Sequence, residues 1–99
     1  MAELRWSTEA LAWLEAIHGY IAADDPSAAT KVVDGIVHRA GQLQHFPDMG
    51  ARLRTEADGD LRVLLYGHYR IAYLHQADNR IVYIVGVFHG ALDIDRYLP

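Results

Sequence analysis

Between Leu61 and His89 the chain runs LRVLLYGHYRIAYLHQADNRIVYIVGVFH, three blocks of Val, Ile, Leu, Tyr and Phe broken at Gly67-His68 and at Ala77-Asp78-Asn79. Blocks of strand-forming residues between turn residues predict a meander of three consecutive β-strands. Both alternating sets are apolar: Leu61, Val63 and Leu65 on one parity, Leu64 and Tyr66 on the other. The last block repeats this with Ile81, Tyr83, Val85 and Val87 against Val82, Ile84 and Phe88. An antiparallel sheet with one wet face alternates apolar with polar, so here both faces call for cover.

Upstream the period changes from two to 3.6. Glu3 to Trp6 is short and mixed and reads as a strand at a sheet edge. Ser7 can cap a helix from Thr8 to about Ala23, with Glu9 in its first turn and Ala10, Leu14, Ile17 and Ile21 on its apolar face. A second stripe, Ala12, Ala16, Gly19 and Ala23, holds small residues that another helix could approach. Asp25-Pro26 caps and starts the next helix, in which Ala29, Val32, Val33, Ile36, Ala40 and Leu43 trace one face to about Gln44. Gly35 and Gly41 each cost about 1 kcal/mol relative to alanine there, which points to close packing. Phe46-Pro47-Asp48-Met49-Gly50 ends the helix, Ala51 to Thr55 reads as an extra strand or arm, and Glu56 to Asp60 as an acidic turn.

These elements predict one α+β domain over residues 1–99. Its fold is an N-terminal strand, then an antiparallel helical hairpin packed on one face of a C-terminal three-stranded antiparallel meander. The second face is expected to be covered by a partner chain, with the tail ALDIDRYLP or a homodimer as the alternative.

Net charge is −4, and its distribution limits the chemistry further. Through Gly50, three basic residues (Arg5, Lys31, Arg39) meet seven acidic ones; from Ala51 on, six arginines balance six carboxylates. Neither half has the basic footprint of a protein that grips phosphates. With no cysteine, disulfides and thiolate chemistry are excluded, and no apolar run reaches the ~18 residues of a membrane span. Met1 leads into a charged strand rather than a signal peptide, so the expected location is cytoplasmic. His18, His38, His45, His68, His75 and His89 lack ligand spacing, so neither a metal nor another cofactor is expected. Tyr66, Tyr69, Tyr73 and Tyr83 read as sheet packing.

Trp6-Ser7 opening a helix, Tyr20-Ile21-Ala22 before Asp25-Pro26 and Ala28-Ala29, Phe46-Pro47 with Gly50, Leu61-Arg62, Tyr69-Arg70-Ile71, Tyr73 and Val87-Phe88-His89-Gly90 follow one another in order. Together they resemble toxins of the RelE/ParE superfamily, most closely the ParE branch, over essentially the whole chain. The resemblance implies a small α+β toxin of a type II toxin–antitoxin module, neutralised by a ParD-like antitoxin. Operator DNA would be reached only through that antitoxin. It also implies one of two activities: ParE-like members poison DNA gyrase by protein contact and need no active site, whereas RelE-like members are ribosome-dependent mRNA endonucleases.

A nuclease would need Arg62 and Arg70 as phosphate clamps and His89 or Tyr97 to move protons. If Gly67-His68 is a two-residue hairpin turn, Arg62 lies opposite Tyr73 and Arg70 opposite Leu65, so the two arginines point to opposite faces. A structural role for one of them, holding the acidic turn at Glu56, Asp58 and Asp60, is at least as well supported. The expectation is therefore a non-enzymatic, gyrase-directed toxin whose target contacts are His89, Asp93, Arg96 and Tyr97 and whose antitoxin anchors are Trp13 and Tyr20. Where ParE-like toxins carry a basic residue after His89-Gly90-Ala91, this chain has Leu92 and then Asp93, leaving Arg96 as the tail's cation. A degenerate, non-toxic antitoxin-binding member is the third reading.

Overall fold

The structure is a computed structural model, and it describes residues 1–90 and Leu98. β1 (Glu3–Trp6) leads into α1 (Thr8–Ala22) and α2 (Pro26–Gly41), which is extended by a 3-10 turn at Gln42–Gln44. β2 (Ala51–Glu56), β3 (Gly59–Tyr66), β4 (Tyr69–Gln76) and β5 (Ile81–His89) follow. The helix starts form as the sequence dictates: Ser7 accepts from the Ala10 amide at 3.0 Å and Asp25 from the Ala28 amide at 3.1 Å, with Pro26 at the first turn.

The five strands of the described residues form one sheet in the order β1-β5-β4-β3-β2, antiparallel except that β1 runs parallel to β5. The meander therefore has four strands where the apolar pattern reveals three. β2, the residues expected as an extra strand or arm, is exposed along its whole length. It pairs with β3 because the outer backbone groups of β3 need partners, not because its side chains are buried. The acidic turn shortens accordingly to Ala57-Asp58.

The helical hairpin covers one sheet face. Ala10, Ile36, Ala40 and Leu43 meet Leu64, Ile71, Tyr73, Val82, Ile84 and Val87 in the main core. Gly35 is the point of closest approach, since a Cβ there would sit 1.8 Å from the Tyr66 hydroxyl. Gly41 has no such reason: a Cβ there would meet nothing within 4 Å. The small stripe Ala12, Ala16, Gly19 and Ala23, along α1 and its C-terminal cap, is exposed, and among the described residues none of it joins the core clusters.

On the second sheet face Ala72 and Phe88 are buried, with Val63, Val85, Trp13 and Leu98 packed against them. The Trp13 ring meets Phe88 edge-on, centroids 4.8 Å apart. So α1 and Leu98 supply part of the second cover from within the chain, while Leu65 on that face stays 62% exposed. Among the described residues no helix is long and apolar enough to cross a membrane.

Candidate functional site

The β3·β4 register decides where the two arginines go. Tyr66 pairs with Tyr69, Arg62 with Tyr73 and Arg70 with Leu65, without interruption. Register shifts do occur, in β2 between Arg52 and Arg54 and in the β4·β5 pairing between Ala72 and Tyr73, but neither alters this relation. Arg62 therefore shares the helix-covered face with Tyr73, and Arg70 shares the other with Ala72. His89 pairs with Tyr69, four residues along β4 from Tyr73. That puts His89 on the face of Arg62 but four residues along at ~3.4 Å each and two strand spacings of ~4.8 Å across, roughly 17 Å away. The three groups do not converge. Tyr97 lies outside the described residues.

Both guanidiniums are also engaged by the fold. Arg70 Nη2 donates to the Gly90 carbonyl at 3.0 Å, fixing the end of β5. Arg62 Nη1 donates to the carbonyls of Gly50 at 2.8 Å and Asp48 at 3.1 Å, and its other nitrogens lie 3.5 Å from Asp48 and 3.6 Å from Asp60. The structural role read from sequence holds for Asp60, but the larger share of the Arg62 contacts goes to the Phe46–Gly50 loop.

That loop is the centre of a cluster the sequence does not announce. Tyr73, fully buried, donates its hydroxyl to the Pro47 carbonyl at 2.7 Å and accepts the Gly50 amide at 2.9 Å. His75 Nδ1 lies 2.7 Å from Asp48 Oδ1. Arg52 stands directly across from Arg62. Burial raises the Tyr73 phenol pKa above its ordinary value, and Asp48 adds to this, while the Gly50 amide and Arg62 oppose it. The only sequence signal for this cluster is alternation: Asp60, Arg62 and Leu64 opposite His75, Tyr73 and Ile71 put polar residues at one end of a core-facing row. Among the described residues no group of three or more ligand side chains could hold a metal ion.

A family model for the ParE toxin of the type II toxin–antitoxin system parDE matches residues 4–94. The chain belongs to the ParE toxin family. Two solved structures show the same fold. A chromosomal ParDE toxin–antitoxin system from P. aeruginosa matches with a TM-score of 0.70 at 26% identity, covering 90% of this chain and 96% of the other. The RelBE2 toxin–antitoxin complex from Mycobacterium tuberculosis matches with a TM-score of 0.67 at 26% identity, covering 89% and 96%. No curated protein matches.

In this ParE-family chain the remaining sequence candidates fall at separate places. His89 is exposed beside Tyr69 and His68, its ring 5.7 Å edge-on from the former and 6.3 Å from the latter. Asp93 and Arg96, like Tyr97 and Leu92, lie outside the described residues. Tyr20 is 85% exposed near the end of α1. Trp13 is only partly exposed, because its ring packs on both core clusters. Any partner would find the edge of Trp13 and the whole of Tyr20.

Proposed function

We propose that this ParE-family toxin acts without an active site, by protein contact on DNA gyrase, and that a ParD-like antitoxin holds it inactive in the cytoplasm, linking it to operator DNA only through that antitoxin. The observation that carries the reading is the unbroken β3·β4 register, which leaves Arg62, Arg70 and His89 unable to surround one phosphate. Charge supports it, since a net −4 chain is poorly suited to a ribosomal site lined with RNA. His89, Asp93, Arg96 and Tyr97 are the proposed target contacts, and Tyr20 with the exposed edge of Trp13 the proposed antitoxin anchors.

One observation favours the RelE-like nuclease as second reading: Arg52, Arg62 and His75 gather at one end of the sheet. Against it, Asp48 and Asp60 already neutralise Arg62 there. Induction of the chain without antitoxin separates the two. The expected outcome is a DNA-damage response within minutes while messenger RNA stays intact. Rapid cleavage of translated messages would overturn the contact mechanism, and normal growth with neither signal would mark an inert antitoxin-binding member.

A further inference from the structure

The Phe46–Gly50 loop combines two properties that seldom coincide. Its side chains Phe46 and Met49 are 63% and 38% exposed. Its backbone is nonetheless fixed, through the bonds from Tyr73 and Arg62 to Pro47, Asp48 and Gly50 and through the His75–Asp48 contact. An exposed aromatic on a free loop can fold back onto the surface; this one is held out. Phe46, Pro47, Asp48 and Met49 frame a shallow, open and mainly apolar notch. A partner side chain entering it would not have to order the loop first, which removes one of the usual costs of binding.

The notch does not stand alone. Asp48 is also a wall of an adjoining trough of about 480 Å³, where Glu56, Asp58, Asp60 and Asp78 join it around Arg62 and His75. The Arg62 charge is taken up by Asp48 and Asp60, and Glu56 is paired with Arg54. Asp58 and Asp78, both exposed, have no charged partner among the described residues. Nucleic acid is repelled by such a surface, and a second copy would bring its own net charge of −4 to it. The complementary occupant is cationic.

We propose that notch and trough together receive an extended segment of the antitoxin, one apolar side chain entering between Phe46 and Met49 and lysine or arginine a few residues on meeting Asp58 and Asp78. This rests on the antitoxin partnership proposed above, but the site is separate from Trp13 and Tyr20. It makes the antitoxin contact part apolar and part salt-dependent.

The test compares antitoxin affinity of the wild-type chain with Phe46→Ala, the pair Asp58→Lys and Asp78→Lys, and Tyr20→Ala across a salt series. The side chains replaced are exposed and make none of the hydrogen bonds that hold the loop, so circular dichroism should find all variants folded. Phe46→Ala is expected to weaken binding about tenfold or more. The charge-reversed pair should weaken it comparably at low salt and flatten its salt dependence. Wild-type affinity in both, with Tyr20→Ala impaired, overturns this inference and leaves the proposed function standing. If the wild-type chain binds no antitoxin, the proposed function falls. The surface is then judged by amide-shift titration with an amidated peptide of one leucine followed by three lysines, against its glutamate counterpart. Shifts at Phe46, Asp58 and Asp78 with the lysine peptide alone uphold the chemistry of the site; no shifts overturn it.

Discussion

Replacing Tyr73 by phenylalanine removes the hydroxyl that donates to Pro47 and accepts from Gly50, and leaves a buried amide and carbonyl without that partner. The expected cost is about 1–3 kcal/mol in denaturant unfolding. The phenol also sets an alkaline limit. Its pKa is raised in the folded chain, mainly by burial, so the unfolded chain ionises first. The stabilisation is complete below the ordinary tyrosine value of about 10 and is lost as pH rises through the folded value. Tyr73→Phe should therefore unfold with a shallower dependence on pH above that point. At this scale the sequence was partly legible. Alternation placed Arg62 and Arg70 on opposite faces, because a two-residue turn fixes register locally. It could not say that Tyr73 and Arg62 hold the Phe46–Gly50 loop, since that contact joins residues 12 to 26 positions apart.

Among the elements, β2 is the one whose place its sequence leaves open. Ala-Arg-Leu-Arg-Thr-Glu alternates and reads as an extra strand or arm, but all six residues are exposed, so no buried face shows that it joins the sheet. It forms because β3 offers a backbone edge. The same polarity protects the edge that β2 in turn exposes: Arg52, Arg54 and Glu56 line it, Arg54 pairs with Glu56, and the register shift near Leu53 disturbs its pairing surface. Replacing Arg52 and Arg54 together by valine should convert it into a flat apolar edge. The expected result is concentration-dependent association in light scattering, with the wild-type chain unaffected at the same concentration. The starts of both helices, by contrast, were readable to the residue, because Ser7, Asp25 and Pro26 act on amides three residues away or fewer, while α2 ends at Gly41, three residues short of the expected Gln44, where the last turn tightens to a 3-10 turn.

For the molecule as a whole, the second sheet face connects stability to the proposed target contact. Leu98 packs beside Ala72 and Phe88, so truncation after Gly90 would remove part of that face's cover along with the tail. Point substitutions separate the two effects. Arg96→Ala with Tyr97→Ala keeps Leu98 and should lower toxicity on induction at least tenfold in surviving colonies, with antitoxin affinity and thermal unfolding unchanged. Unaltered killing would move the target contact elsewhere on the surface.

The sequence by itself determined the secondary structure of the helices and inner strands, the α+β class, the opposed arginines and the family. Each of these follows from local periodicity, capping, a tight turn or an ordered string of short motifs. Only the tertiary structure decided that the meander gains a fourth strand, that Trp13 lies against Phe88, and that Asp48, Arg62, Tyr73 and His75 close around one loop. Those facts depend on which distant backbone groups and side chains meet once the hairpin is laid on the sheet, and no local pattern in the chain encodes that meeting.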